Sequence, residues 1–222
     1  MSVDLSHICG VIWDLDGTLY RYNDYFIEAC NIAAAQTVVE LGLDISLDDA
    51  LDVARQSQVL HGHSFKLFGE RGVVYEDCHH LFHQKIDHMV VVKNEELKSY
   101  LQKISLPMTI LTNASRDWAL RTLSHLDMRT VFQDGHIFAL EDVGFKAKAY
   151  HTDGFDFALA KMGLTANQTL VVEDLSRNLI VPKKMGMVTA LVHHAHDEKT
   201  KEDHVDHTFN DTLDVIKNLA NI

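Results

Sequence analysis

The sequence predicts an α/β protein, with a doubly wound parallel sheet and an all-α region inserted after the first strand. Three observations support this fold class. Short runs that are apolar at nearly every position recur along the chain, as in strands covered on both faces. Amphipathic helical patterns separate the later runs, and alternating strands and helices indicate a parallel sheet. The long stretch between the first two runs contains helical patterns without a convincing strand.

The strands are predicted from apolar runs that end in polar residues or at a short turn. The first run, ICGVIW, leads directly into Asp14. Runs of this length suit the buried strands of a parallel sheet. The predicted strands span residues 8–13, 108–111, 137–140, 169–172 and 189–192.

Helices are predicted where apolar residues recur at three- and four-residue spacing. One begins after Ser115, a typical N-cap residue. A second carries the apolar stripe of residues 155–162 and ends at Gly163, and a third spans residues 177–185 and ends at Gly186. Glycine commonly follows the last residue of a helix because it adopts the left-handed conformation readily.

The region after the first strand is predicted to be a separate domain. Residues 22–103 contain helical patterns such as LDDALDVARQSQVL. We therefore predict a Rossmann-like core formed by residues 1–21 and 104–222, with a helical cap domain, residues 22–103, inserted into it.

Composition and charge narrow the classes of function. The chain has 222 residues and a net charge of −12, and an acidic surface without a basic stripe argues against a nucleic-acid partner. No apolar run reaches the roughly 20 residues that span a bilayer, and the first residues do not resemble a signal peptide. Three scattered cysteines do not suggest a disulfide framework. We expect a cytoplasmic protein without a membrane partner, either a monomer or a homodimer.

Acidic residues follow two of the predicted strands. Asp14 and Asp16 flank a turn after the first strand, and Glu173 and Asp174 follow the strand at 169–172. The carboxyl ends of strands in an open parallel sheet meet at one edge, where ligands bind. Carboxylates gathered there repel one another unless a hard cation lies among them, and oxygen ligands without cysteine or histidine favour Mg²⁺. The pattern predicts a magnesium site suited to phosphoryl transfer.

Neutral and basic residues complete this predicted site. Thr112 and Asn113 follow the second strand and offer a hydroxyl and an amide. Lys146 and Lys148 lie in the loop before the second predicted helix, so either lysine can supply positive charge. Crowding among carboxylates also helps one aspartate to keep a proton, as a general acid must.

These segments resemble, in order and spacing, the four motifs of the haloacid dehalogenase superfamily. The matching segments are DLDGTL at 14–19, LTN at 111–113, Lys148, and VED at 172–174. The resemblance covers essentially the whole chain. It implies a phosphatase of that superfamily, an enzyme that hydrolyses phosphate monoesters.

The resemblance also implies roles for individual residues. Asp14 is the expected nucleophile, which forms an aspartyl-phosphate, and Asp16 is the expected acid and base. Thr112, Asn113 and Lys148 are expected to bind the phosphoryl group.

The same resemblance implies a set of metal ligands. Mg²⁺ is expected to be bound by the carboxylates of Asp14 and Asp174 and by the backbone carbonyl of Asp16. One departure concerns the third motif, since the superfamily usually has proline after its lysine and this chain has alanine. Lys146 therefore remains an alternative to Lys148, which we favour.

A narrower likeness suggests a substrate. The segment EDLSRNLIVPKKMGMVTALV, together with HGHSFKLF and LTNASRDWALRTL, resembles the pyrimidine 5′-nucleotidase branch of the superfamily. This likeness implies a small phosphorylated metabolite, a nucleoside monophosphate, as the substrate. The alternatives are another small ester, such as phosphoglycolate or a sugar phosphate, a phosphomutase, or a catalytically silent binding protein on this fold. A dehalogenase is disfavoured, because that chemistry needs neither Asp16 nor Asp174.

Several further residues have a structural interpretation beside a functional one. Trp118 lies in an apolar pattern and is predicted to be a core residue. Tyr20 follows the first motif, where it either contacts the leaving group or packs at the entry to the inserted region. Glu173 either supports the metal site or is solvated, and Asn178 either steadies the acidic pair or is an ordinary helix residue.

The histidines are predicted to be packing or surface residues. His79 and His83 are four apart on a predicted helix, a spacing compatible with zinc. His193, His194 and His196 lie close together after a strand. No cysteine or glutamate completes either set into a known zinc pattern.

Overall fold

A computed structural model describes residues 5–193 and 202–219 of the chain. These residues form six strands: β1 (Gly10–Trp13), β2 (Met108–Leu111), β3 (Ile137–Phe138), β4 (Thr169–Glu173), β5 (Val188–Val192) and β6 (His207–Phe209). The strands make one sheet in the order β3–β2–β1–β4–β5–β6, and each neighbouring pair is parallel. This order reverses beside β1, as in doubly wound folds. The predicted fold class is confirmed.

Helices lie between the strands along the described part of the chain. Within the described ranges, no helix has both the length and the apolar character needed to cross a membrane. The helices are α1 (Asp24–Glu40), α2 (Leu47–His61), α3 (Lys66–Gly69), α4 (Tyr75–Lys85), α5 (Glu95–Leu101), α6 (Arg116–His125), α7 (Asp153–Met162), α8 (Ile180–Lys184) and α9 (Thr212–Asn218).

Local signals explain where the helices of the sheet begin and end. The Ser115 side chain accepts from the backbone N–H of Trp118 (3.2 Å) and caps α6, as predicted. α7 ends at Gly163, whose φ is 68°. The third predicted helix is instead a 3₁₀ turn, Ser176–Leu179, followed by the short α8.

The strands form where apolar runs are covered on both faces. Every residue of β1 and β4 is buried. One core beside the sheet joins residues of four strands to α7 and to the turn before α8, and this buries enough apolar surface to hold the strand ends in place. Its buried members are Ile12, Leu111, Phe155, Ala158, Val171, Leu179, Met187 and Leu191.

The two outer strands of the sheet, β3 and β6, differ from the prediction. The run at 137–140 forms only the two-residue β3, because the backbone N–H of Ala139 donates to Asp142 (2.8 Å) and leaves the ladder. β6 was not predicted, since its three residues do not make an apolar run. Asp206 ties the start of β6 to β5 by accepting from the backbone N–H (3.0 Å) and the hydroxyl (3.1 Å) of Thr189.

The chain divides into two compact units. The sheet unit comprises Met1–Arg21 and Val92–Ile222, and the helical unit comprises Tyr22–Val91. All residues of the helical unit are described, and they form α1 to α4 without a strand. Within this unit α1 packs against α2 and α4, and Arg55 on α2 pairs with Glu28 on α1.

The observed end of the insert lies before the predicted one. We placed the boundary at residue 103, but α5 belongs to the sheet unit. Leu97 and Leu101 of α5 are buried, α5 packs against α9, and Glu96 lies 3.7 Å from the Lys217 ammonium. The prediction includes residues 95–101 in the all-α insert, but a helical pattern does not show which unit covers an apolar face.

Candidate active site

The register of the central strands brings the predicted site residues together. Trp13 of β1 pairs with Ile110 of β2 and with Val172 of β4, so the residues after these strands lie level with one another. The backbone N–H of Asp14 still donates to the Val172 carbonyl (2.9 Å). Asp14 therefore reaches the edge of the sheet beside Glu173, where the strand order reverses. Ligands bind at this position in open α/β sheets.

A tight turn after β1 keeps both motif aspartates near this edge. Gly17 has a φ of 91°, a left-handed conformation that glycine adopts without a Cβ clash. The Thr18 hydroxyl donates to Oδ2 of Asp14 (3.0 Å), and the Thr212 hydroxyl donates to the Thr18 carbonyl. The turn is thereby fixed both to the nucleophile candidate and to the start of α9. Asp14 is buried, whereas Asp16 is partly exposed.

Lys148 lies at the centre of the site. Its side chain is only 4% exposed, and its ammonium donates to Asp14 Oδ1 and to the Leu111 carbonyl (3.0 Å). The same ammonium lies 2.6 Å from Oε1 of Glu173. Burial lowers the pKa of Lys148, but the charges of Asp14 and Glu173 outweigh burial and raise this pKa overall. Lys148 therefore stays cationic.

Lys146 lies outside this cluster. Its ammonium pairs with Asp153 at the start of α7, and its side chain is 49% exposed. An exposed pair of this kind contributes little to stability. The two lysines that the sequence left open are thus separated by their surroundings, since Lys148 contacts the site and Lys146 is on the surface.

Glu173 is a buried carboxylate that holds Lys148 in the site. It is 1% exposed, and its carboxylate accepts from the Asn178 amide (2.6 Å) and from the backbone N–H of Leu175 (2.7 Å). Together with the Lys148 contact, these bonds occupy both of its oxygens. Asn178 thus steadies the acidic pair, one of the two interpretations left open by the sequence. Solvation of Glu173, its alternative interpretation, is wrong.

Three carboxylates at this edge have the arrangement of a cation site. Asp14, Glu173 and Asp174 each offer an oxygen, and these oxygens lie within 4.8 Å of one another. Among the described residues no other group of three such side chains is found. All three are buried, and the single ammonium of Lys148 leaves an excess of about two negative charges if all three are ionised. Oxygen donors with this excess fit a divalent cation.

Burial makes the ionised cluster costly. The pKa of Asp14 is raised to about 7, because burial and the charge of Glu173 together outweigh the opposing effect of Lys148. Burial and the charges of Glu173 and Asp14 also hold the pKa of Asp174 well above its usual value. A bound cation reverses such shifts, because it stabilises the carboxylate form.

Asp16 has different neighbours. Its Oδ1 accepts from the indole N–H of Trp118 (2.6 Å) and from the hydroxyl of Tyr20. The Thr112 hydroxyl lies 3.4 Å from its Oδ2. Burial raises the pKa of Asp16, and the hydrogen bonds from Trp118 and Tyr20 oppose this rise.

Trp118 is a site residue that the sequence does not reveal, whereas Tyr20, predicted either to contact the leaving group or to pack, contacts Asp16. Trp118 is buried, as predicted for a core residue, but its indole contacts the second motif aspartate. One signal could have indicated this contact, because a buried indole N–H usually finds an acceptor and Trp118 lies in the first turn of a helix that starts at the ligand-binding edge. For Tyr20 no signal in the sequence separates a role in the site from a packing role.

Thr112 and Asn113 lie at the end of β2. Thr112 is buried and its hydroxyl accepts from the Ala114 backbone N–H (3.0 Å), which directs it to this edge. Asn113 accepts from the backbone N–H of Lys148 through Oδ1 (3.3 Å). Every residue predicted for the site therefore lies at one edge of the sheet, apart from the alternative Lys146.

Within the described residues, no histidine belongs to the cluster of Asp14, Glu173 and Asp174. His79 and His83 are buried within the helical unit, with their ring centres 4.5 Å apart and further ring contacts to Tyr75 and Phe82. This is the packing role predicted for them. Of the group after β5, His193 is buried, whereas residues 194 and 196 lie outside the described part of the chain.

Comparison with known proteins agrees with this geometry. A glyceraldehyde 3-phosphate phosphatase from Methanocaldococcus jannaschii is 23% identical over 96% of this chain and 98% of its own length. The magnesium-bound structure of the HAD-hydrolase YfnB from Bacillus subtilis has a TM-score of 0.66 at 14% identity, covering 96% of this chain and 99% of that one. CbbY from Rhodobacter sphaeroides, in complex with phosphate, has a TM-score of 0.67 at 14% identity, covering 94% and 96%. At such identities the two structures show a shared fold.

A family match extends over most of the chain. Residues 11–192 match the family described as haloacid dehalogenase-like hydrolase, and this range includes all four predicted motifs. The likeness to the pyrimidine 5′-nucleotidase branch stays a prediction. The superfamily predicted from the motifs is confirmed, and the chain is an enzyme that belongs to the haloacid dehalogenase-like hydrolase family.

Proposed function

We propose that this hydrolase is a magnesium-dependent phosphatase that cleaves phosphate monoesters through an aspartyl-phosphate on Asp14. The observation that carries the proposal is the pairing of buried Asp14 with the Lys148 ammonium, two residues before a partly exposed Asp16. One carboxylate is thus held against a cation, where an anionic phosphate can approach it. The other is held by the neutral donors of Trp118 and Tyr20, so it can keep a proton for the leaving group.

Asp14 and Asp16 divide the reaction between them. Asp14 attacks phosphorus while the bond to the leaving oxygen breaks, and Asp16 gives its proton to that oxygen. Water then attacks the phosphorus of the aspartyl-phosphate, and its proton passes to Asp16. Inorganic phosphate leaves, Asp14 is regenerated as a carboxylate, and Asp16 is again protonated.

Lys148, Thr112 and Asn113 are the proposed phosphate-binding residues. The Lys148 ammonium lies against the nucleophile, so a phosphoryl group on Asp14 meets a positive charge. Thr112 and Asn113 offer a hydroxyl and an amide at the end of the neighbouring strand. Glu173 does not contact the phosphoryl group in this proposal, because both of its oxygens already accept hydrogen bonds or pair with Lys148.

Mg²⁺ fits the acidic cluster. We propose that it is held by the carboxylates of Asp14 and Asp174 and by the backbone carbonyl of Asp16. When bound, it offsets the charge of the cluster and of the phosphate. The magnesium bound in the similar YfnB structure supports a magnesium site on this fold, and the phosphate bound in that of CbbY supports a phosphate site.

Two substrate classes have specific support. The motif likeness to the pyrimidine 5′-nucleotidase branch favours a nucleoside monophosphate, which we propose as the substrate. The similarity to a glyceraldehyde 3-phosphate phosphatase favours a small sugar phosphate as the second candidate. Both are alkyl esters, so both need the proton that Asp16 supplies.

A phosphate-release screen with Mg²⁺ tests the proposed function. We expect hydrolysis of pyrimidine nucleoside monophosphates with the highest kcat/KM in a panel that includes sugar phosphates, glyceraldehyde 3-phosphate and phosphoglycolate. Chelation of the metal and the substitution Asp14→Asn should each abolish turnover. A higher kcat/KM for sugar phosphates than for nucleotides would show that the second candidate is the correct substrate class. Failure to hydrolyse any ester would contradict the phosphatase itself.

The two lysines provide a matched pair of variants. Lys148→Met removes the buried charge beside Asp14, and we expect it to lower kcat/KM by roughly 10²–10³-fold, the usual effect of losing one group that stabilises transition-state charge. Lys146→Met removes only an exposed pair and should change kcat/KM by less than about twofold. Circular dichroism at the assay temperature confirms that both variants are folded. Equal losses in the two would show that Lys148 has no special role.

The raised pKa of Asp14 predicts how the metal-free protein responds to pH. Its pKa of about 7 exceeds the ordinary value of 3.8, so between these pH values the folded state keeps a proton that the unfolded chain has lost. The contribution of Asp14 to stability therefore falls as pH rises from about 4 to 7. In EDTA we expect Tm to fall less steeply over this window in Asp14→Asn than in the wild type, because one buried titrating carboxyl is gone.

Magnesium supplies the converse measurement. At pH 8, Mg²⁺ should raise the Tm of the wild type more than that of Asp14→Asn, by roughly 2–4 °C for each kcal/mol of added stability. If Mg²⁺ raised the Tm of both proteins equally, Asp14 would not be a ligand of the metal.

A further inference from the structure

The carboxylate of Asp16 accepts hydrogen bonds from two side chains that lie outside the superfamily motifs. Trp118, in the first turn of α6, donates its indole N–H to Oδ1 over 2.6 Å. Tyr20, four residues after Asp16, donates its hydroxyl to the same oxygen. Both rings are buried, so these bonds are shielded from competition with water.

The indole N–H favours one position for the proton of the acid form. An indole N–H donates and cannot accept, so Oδ1 of Asp16 is the acceptor whenever this bond is made. A carboxyl group retains an accepting carbonyl oxygen after its other oxygen is protonated. The Trp118 bond can therefore persist in both protonation states of Asp16, with the proton of the acid form on Oδ2.

Trp118 is itself firmly placed. Its side chain belongs to the buried core with 1% exposure, and its backbone N–H donates to the N-cap Ser115 (3.2 Å). The Arg121 guanidinium lies 5.4 Å from the centre of its ring. Asp16, by contrast, is partly exposed and precedes Gly17 in a turn. The more deeply buried Trp118 can therefore fix the orientation of the Asp16 carboxylate.

We propose that Trp118 is a positioning residue that fixes the rotamer of Asp16, so that Oδ2 faces the leaving-group oxygen, and that Tyr20 assists it. The inference rests on the proposed function, in which Asp16 protonates that oxygen. It adds a residue that acts through Asp16 and touches neither phosphate nor metal.

A positioning role of this kind has a signature in leaving-group dependence. An alkoxide needs a proton as it departs, whereas p-nitrophenolate is stable as an anion and leaves with little help. Loss of the Trp118 bond should therefore slow alkyl esters more than p-nitrophenyl phosphate. The parameter to compare is kcat/KM, because it covers the steps up to departure of the leaving group and excludes hydrolysis of the aspartyl-phosphate.

The decisive variant is Trp118→Phe, assayed with Mg²⁺ on p-nitrophenyl phosphate and on the best alkyl ester of the panel. General acid catalysis contributes roughly 10²–10⁴-fold, and we expect part of this, about 10–100-fold, to be lost on the alkyl ester. The loss on p-nitrophenyl phosphate should stay below about threefold. In an Asp16→Asn background Trp118→Phe should cause no further selective loss, because it acts through that carboxyl.

Two further variants separate positioning from packing. Trp13→Phe also removes a buried indole, but within the described residues the Trp13 N–H has no hydrogen-bond partner, so any loss should be equal on both esters. Tyr20→Phe removes only a hydroxyl and should reproduce the selective loss in weaker form. If Trp118→Phe does not fold, as judged by circular dichroism, the ratio measured for Tyr20→Phe decides.

The outcomes distinguish this inference from the proposed function. Equal losses on the two esters, or a selective effect that persists without the Asp16 carboxylate, would overturn the positioning role while leaving the phosphatase intact. A wild type that releases phosphate from neither ester would overturn the proposed function.

Discussion

The buried ammonium of Lys148, set between Asp14 and Glu173, is the interaction on which the site depends. Burying a charge costs several kcal/mol unless partners compensate it, and removing one partner of a buried pair costs roughly 3–5 kcal/mol. These partners follow β1 and end β4, while the Leu111 carbonyl that also accepts from Lys148 ends β2. The site is therefore assembled only when the register of all three strands is correct.

Two aspartates two residues apart are given different environments by the same turn. Asp14 meets charges: a lysine, a second carboxylate and, in our proposal, a metal. Asp16 meets neutral donors, the indole of Trp118 and the hydroxyl of Tyr20. Separating two carboxyl groups in this way is how one site keeps a nucleophile and an acid side by side. The turn can do this because Gly17 reverses the chain within a few residues.

The sequence predicted those features that leave a pattern within one segment of the chain, and it did not predict contacts between distant segments. Asp14 and Asp174 were found because each follows an apolar run, and the ends of parallel strands converge. Lys148 was favoured over Lys146 only from the motif likeness, since two positions in one loop have no periodicity that distinguishes their burial. The contact of Trp118 with Asp16 joins distant segments and left no local pattern. Residues 95–101 were included in the predicted cap, whereas α5 lies in the sheet unit and packs against α9, a contact between distant segments that leaves no local pattern.

The central claim is that Asp14 becomes covalently phosphorylated. The most direct measurement is rapid quenching during turnover with Mg²⁺ and the best ester of the panel, followed by borohydride reduction, which converts an aspartyl-phosphate to homoserine, and peptide mass spectrometry. Our account predicts homoserine at position 14, dependent on substrate, and none in a sample without it. Reduction product at another carboxylate, or turnover with a phosphorylated residue of another type, would contradict it.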